Sequence, residues 1–148
     1  MKHIIIKNVE TAEAFPQTGP RGNRFTIRPI VPAEAVAKCA ANFVEVAPGE
    51  SAYGYHYHEE NEEVFFIVRG EAAVRTPDGE IRLKAGDAIA FPANPSGAHV
   101  VRNPSATETL VYLDFGTANR PDVVHFTGLE KDAGMVVSRS GEIIPFER

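Results

Sequence analysis

Apolar and polar positions along the chain alternate or cluster over short stretches, and nowhere does an apolar stripe recur at a helical interval for long. Phe43-Val44-Glu45-Val46 stops at Pro48-Gly49, and Val64–Val68 is an unbroken apolar run closed by Arg69-Gly70. Runs of this length, rich in β-branched and aromatic residues and bounded by Gly or Pro, predict strands. The same reading predicts strands at Phe25–Ile27, Ala72–Arg75, Ile81–Leu83, Ala88–Phe91, His99–Arg102, Thr109–Phe115, Val123–Phe126 and Met135–Val137, with a short last one at Ile143-Ile144. Thr76-Pro77-Asp78-Gly79 has turn chemistry and makes its flanking runs a hairpin. Ile4–Val9 is a further strand candidate and leads into a loop from Phe15 to Asn23, rich in Pro, Gly and Thr. Pro32–Lys38 predicts one helical turn, because Ala33, Glu34, Ala35 and Ala37 suit a helix. Many short strands with Gly/Pro punctuation predict an all-β sandwich or barrel. With no repeat, low-complexity run or linker in view, residues 1–148 read as a single domain.

Bulk composition narrows the function classes. A hydrophobic fraction of 43% and a charged fraction of 24% are those of a folded globular chain, not a disordered one. The net charge of −5, without any Lys/Arg cluster, argues against a nucleic-acid partner. Cys39 is the one cysteine, so no internal disulfide can form, which fits a reducing compartment. The start, Met1-Lys2-His3-Ile4-Ile5-Ile6-Lys7, is too short of apolar residues for a signal peptide, and no run approaches a membrane span. The expectation is a soluble, cytoplasmic protein with no membrane partner.

The chemistry lies between Pro48 and Asn103, which holds three of the five histidines. His56 and His58 are two apart, so on a strand both imidazoles face one side and Tyr57 the other. Glu63 follows a short polar turn, where a tight reversal can return its carboxylate to the histidines, and His99 comes from a separate strand. Taken singly, each has a plain reading: a surface His-x-His, a solvated acid, a loop histidine. Together, three imidazoles and a carboxylate form a ligand set for one divalent transition-metal ion (Mn, Fe, Co, Ni, Cu or Zn). Phe65 and Ile67 share the parity of Glu63 and read as core. Tyr53, Tyr55 and Tyr112 read as packing aromatics with a hydrogen-bonding end, and Arg69, Arg75 and Arg102 as strand arginines facing water. His125 has no partner at ligand spacing, and Cys39 reads as a small buried apolar residue.

Gly49…His56-x-His58-x4-Glu63-x6-Gly70 resembles the first cupin motif, and Gly86-x5-Pro92…His99-x3-Asn103 resembles the second. Two departures stand out: Gly49 lies one residue further from His56 than is usual, and the Ala93–Ala98 loop before His99 is lengthened. The interval to Gly70 favours Glu63 over its neighbour Glu62. The resemblance implies a double-stranded β-helix, a jelly-roll barrel with its core at about residues 40–116 and strand-like extensions at both ends. It implies a metal site of His56, His58, Glu63 and His99. It permits dioxygenase, sugar-phosphate isomerase or epimerase, decarboxylase and lyase chemistry on a small molecule, and equally a non-catalytic module that holds a metal or small ligand. Strand-prone tails in such a fold suggest a homodimer, with Ile4–Val9 and Val136-Val137 as pairing edges.

Overall fold

A computed structural model describes residues 4–35, 38–129 and 131–148. Its strands are β1 Phe15–Thr18, β2 Arg24–Pro29, β3 Cys39–Val46, β4 Ser51–His58, β5 Glu63–Arg69, β6 Glu71–Thr76, β7 Gly79–Lys84, β8 Ala88–Phe91, β9 His99–Arg102, β10 Leu110–Thr117, β11 Asp122–Phe126, β12 Ala133–Val137 and β13 Ile143–Glu147. They make two antiparallel sheets, in the orders β1-β2-β3-β10-β5-β8 and β13-β12-β11-β4-β9-β6-β7. The architecture is all-β, as the strand pattern predicts, and is the jelly roll that the resemblance implies.

Alternation decides what each strand buries. On β5, Phe65 and Ile67 turn inward and are only 1% exposed, while Val64, Phe66 and Val68 turn outward. Val44 and Val46 of β3, Val74 of β6, Val101 of β9 and Leu110 and Tyr112 of β10 join them in one core between the sheets. The hairpin β6–β7 closes with Thr76 opposite Gly79. Gly79 has φ +118°, a conformation that a side chain would strain.

Three expectations need correction. Ile4–Val9 is not a strand: Ile4 and Ile6 are 94% and 88% exposed, and no sheet edge in the described residues pairs with them. Propensity alone does not make a strand without a ladder to join. Phe15–Thr18, read as loop, is β1 instead, paired with β2 from Phe15 opposite Ile27 to Thr18 opposite Arg24. Its Pro16 is tolerated because β1 is an edge strand, where a missing N–H costs no ladder bond. Val136-Val137 is no edge, since β12 pairs with β11 on one side and β13 on the other. The expected helical turn is a 3-10 turn at Ala33–Ala35, and Val36 and Ala37 lie outside the described residues. Among the described residues, no helix is long and apolar enough to cross a membrane.

One irregularity shapes the interior. Along β4 and β9, Ala52 lies opposite Val101 and His56 opposite His99, so β4 carries extra residues between these pairs. Tyr53 sits in this bulge with φ 55°. Strict alternation would send its side chain to the face opposite Ala52. The left-handed residue instead returns it inward, with its ring centroid 4.5 Å from that of Phe25. The Asn23 side-chain amide donates to the carbonyls of Ser51 (2.6 Å) and Tyr53 (2.8 Å) and so ties down the bulge.

Candidate metal centre

The four residues singled out by spacing meet between the sheets. His56 and His58 point inward from β4, and the direct pairing of His56 with His99 brings β9's imidazole beside them. Glu63 reaches in from the start of β5, in the other sheet, after the Glu59–Glu62 crossing. Of the two neighbouring acids, Glu62 faces solvent and Glu63 joins the cluster. The Nε2 atoms of His99, His58 and His56 lie 3.3, 3.7 and 3.9 Å from one oxygen, Glu63 Oε2. Ligand atoms of His56, His58 and Glu63 all fall within 4.8 Å of one another.

The other nitrogen of each ring is already engaged. His56 Nδ1 donates to the Gly54 carbonyl at 2.7 Å, and His99 Nδ1 to the Gly97 carbonyl at 2.8 Å. His58 Nδ1 donates to Asp122 Oδ2 at 2.6 Å. A carbonyl can only accept, so the proton of a neutral His56 or His99 resides on Nδ1 and the lone pair on Nε2 points at Glu63. Such outer hydrogen bonds orient imidazoles for metal binding. Glu63 Oε2 and His99 Nε2 are buried and have no hydrogen-bond partner.

Burial sets the protonation of these groups. It holds His56 down to about 4 and His99 down to about 3, the latter also opposed by the His56 charge. For His58 burial pulls downward as well, but the Asp122 hydrogen bond and the charges of Glu63 and Asp122 outweigh it and raise its pKa. Burial raises the Glu63 carboxyl, and neighbouring Asp114 adds to the effect. Without a cation the site therefore keeps its acid protonated and two of its imidazoles neutral. A divalent ion would reverse this cost for the carboxylate and use the neutral imidazoles as they stand.

Packing fixes the remaining freedom. The His99 ring stacks on Phe91 at 3.6 Å between centroids and meets Phe65 edge-on at 5.2 Å. The lengthened loop before it forms a 3-10 turn, Pro95–Gly97, in which Asn94 Oδ1 accepts from Ser96 N. Gly97 is buried there, and a Cβ on it would collide with the Pro92 carbonyl oxygen. The loop thus presents the Gly97 carbonyl to His99, and none of its residues lines the cavity described next.

A cavity of about 580 Å³ opens onto the cluster. His56, His58 and Glu63 form part of its wall, with Tyr53, Asn61 and Asp114; Phe25, Val124, Phe126, Met135 and Val137 supply an apolar side. The Tyr53 hydroxyl donates to Asp114 Oδ2 at 3.3 Å. Burial raises both the Asp114 carboxyl and the Tyr53 hydroxyl above their usual ranges. Phe65, Ile67 and Phe91 do not line this cavity; they pack in the core behind it. Tyr55 and Arg75 stack on each other away from the cluster, Arg69 pairs with Glu10, and Arg102 with Glu80. His125 bonds Glu59 and stacks on Tyr57. Tyr112 is wholly buried, and Cys39 is half-buried rather than buried. Asn103 is a structural staple, its amide donating to the carbonyls of Val46 and Glu108.

Asp122, Asp114 and Asn61 were not singled out by the sequence. Asp122 shares parity with Val124, so an acid on the inward face of a strand is the signal it carries. Its burial is tolerated because His58 and the Glu60 N–H satisfy it. Asn61, in the crossing, bonds Thr117 and Asn119 and so fixes the turn that delivers Glu63.

Comparison with known proteins agrees with this geometry. The cupin domain model (Cupin_2) matches residues 42–116. No curated protein matches the chain. Among solved structures, a protein of Acidithiobacillus ferrooxidans provisionally named a sugar phosphate isomerase superposes with a TM-score of 0.79 at 20% identity, covering 94% of this chain and 87% of that one. A sugar phosphate isomerase of the cupin superfamily from Silicibacter pomeroyi gives 0.77 at 19% identity over 95% and 91% of the two chains. The polyketide cyclase RemF from Streptomyces resistomycificus gives 0.71 at 22% identity, over 89% of each. At such identities the likeness is one of fold. The matched stretch contains His56, His58, Glu63 and His99, and the chain belongs to the cupin family.

Proposed function

We propose that this cupin holds one divalent transition-metal ion through His56, His58, Glu63 and His99 and is an enzyme acting on a small molecule. One observation carries the reading: three imidazole nitrogens converge on Glu63 Oε2, and that oxygen and His99 Nε2 are buried with no partner. Buried polar atoms left unpaired cost free energy, and a cation among them removes that cost. The donor set suits Fe, Mn, Co, Ni, Cu or Zn. When bound, such an ion supplies Lewis acidity or a site for oxygen. The chain's own residues do the rest. Asp122 and the two carbonyls hold the imidazoles in place, the core behind His99 excludes water, and Tyr53 and Asp114 face the cavity where a proton can be taken or given. Dioxygenase and sugar-phosphate isomerase or epimerase reactions both use an ion of this kind, and two of the similar structures carry the latter name. The same proposal includes a single domain, a cytoplasmic setting and a homodimer.

The test is metal content by plasma mass spectrometry on tag-free protein, for wild type and for a variant combining His58→Ala with His99→Ala. Close to one ion per chain in wild type and none in the variant is the expected result. A metal-free wild type after reconstitution would overturn the metal site, and bound metal without turnover across substrate classes would leave a binding module.

A further inference from the structure

We infer that the cavity over the His/Glu cluster takes an uncharged, largely apolar molecule bearing a hydroxyl group, in preference to a phosphorylated one; this rests on the metal-enzyme reading of the same site. Among the described residues, no lysine or arginine lines the cavity. Its charged side chains, imidazoles aside, are the acids Glu63 and Asp114, and a third acid, Asp122, stands behind His58. Recognition of a phosphate relies on guanidinium or ammonium groups, or on a cradle of backbone N–H groups. Here a phosphate would meet carboxylates, and the three acids already answer the charge of a divalent ion. Phe25, Val124, Phe126, Met135 and Val137 offer apolar surface, and the further polar lining, Gln17, Thr18, Asn42, Asn61 and Thr117, is uncharged. Most drug-sized ligands bury themselves in a pocket of this volume and character, with a few polar groups to orient them.

The orienting pair is Tyr53 and Asp114. Asp114 Oδ2 accepts from the Tyr53 hydroxyl at 3.3 Å, and both residues line the cavity beside Glu63. Tyr53 reaches it only through its left-handed backbone, a conformation that costs free energy and tends to persist where function needs it. A ligand hydroxyl inserted between them would accept the Tyr53 proton now given to Asp114 and donate its own proton to Asp114 instead. The apolar wall comes from β2, β11 and β12, all outside the stretch that the cupin model matches, so this preference belongs to the chain's own extensions.

The matched probes 2-naphthol and 2-naphthyl phosphate differ only in the phosphate. Calorimetric titration of the full chain, metal-free and zinc-loaded, is expected to show 2-naphthol binding at least about tenfold more tightly in both forms. Asp114→Asn should narrow the gap by weakening 2-naphthol and sparing the ester, and Met135→Arg, which places a cation in the wall, should narrow it by strengthening the ester. Equal or tighter binding of the ester by zinc-loaded wild type would overturn the inference, as would the absence of binding by either probe. A wild type that takes up no zinc but still prefers 2-naphthol would sink the metal reading and leave the cavity's preference standing.

Discussion

At the scale of single residues, Asp122 is the group on which His58 depends. Its carboxylate accepts from Nδ1 at 2.6 Å and is itself held by the Glu60 N–H at 3.0 Å. Removing such an outer partner typically weakens metal binding about 10–100-fold, and Asp122→Asn is expected to do so near pH 8. The same carboxylate favours imidazolium, and a proton on His58 Nε2 excludes an ion. Because the His58 pKa is raised, wild-type affinity is lost as the pH falls through that pKa. In the variant the pKa drops, so the gap between variant and wild type should shrink toward pH 5.5. Zinc titrations at both pH values check this; a loss of equal size at both would show that Asp122 acts on geometry alone. Gly97 makes the complementary point, because its carbonyl orients His99 from a position where a Cβ has no room.

Elements show what the sequence could and could not reveal. Parity on β4 and β5 was legible: it put His56 and His58 on one face of their strand, and Phe65 and Ile67 on the Glu63 side of theirs, as core. It was legible because the short stretches His56–His58 and Glu63–Ile67 keep a period of two. The bulge in β4 breaks that period between Ala52 and His56, so the inward turn of Tyr53 was not legible. Neither was the apolar wall, because Val124, Phe126, Met135 and Val137 become neighbours of the cluster only when β11 pairs with β4 and β12 with β11. Ile4–Val9 failed in the opposite direction: the residues suit a strand, but strand formation depends on a partner that propensity does not supply. The bulge itself yields a prediction. Asn23 donates to two of its carbonyls, and leaving them unpaired should lower the unfolding free energy of Asn23→Ala by about 1–3 kcal/mol. Urea denaturation measures it, and an unchanged midpoint would show that β4 holds its bulge without Asn23.

For the whole molecule, the two outer faces differ in kind. The seven-stranded sheet presents charged and stacked groups, Arg75 on Tyr55, His125 on Tyr57, and Arg82 and Arg102 around Glu80, while its exposed isoleucines, Ile81, Ile143 and Ile144, lie on its two edge strands, β7 and β13. The six-stranded sheet presents Val64, Phe66, Val68 and Phe115, each 37–42% exposed, with Val64 opposite Phe115 across the ladder. Exposed apolar clusters of this kind mark interaction surfaces. The same chain also carries an apolar segment, Ile4 to Ile6, that is solvent-exposed. The proposed homodimer would use both, since a two-fold axis can set one such face against its twin and offer each segment a sheet to cover. Light scattering should therefore give the mass of two chains for wild type. Val64→Glu combined with Phe66→Glu should give the mass of one, with zinc binding kept, because these side chains alternate with Glu63 and point away from the cluster. A wild-type mass of one chain would overturn the dimer, and a double variant that stays dimeric would move the interface to another face.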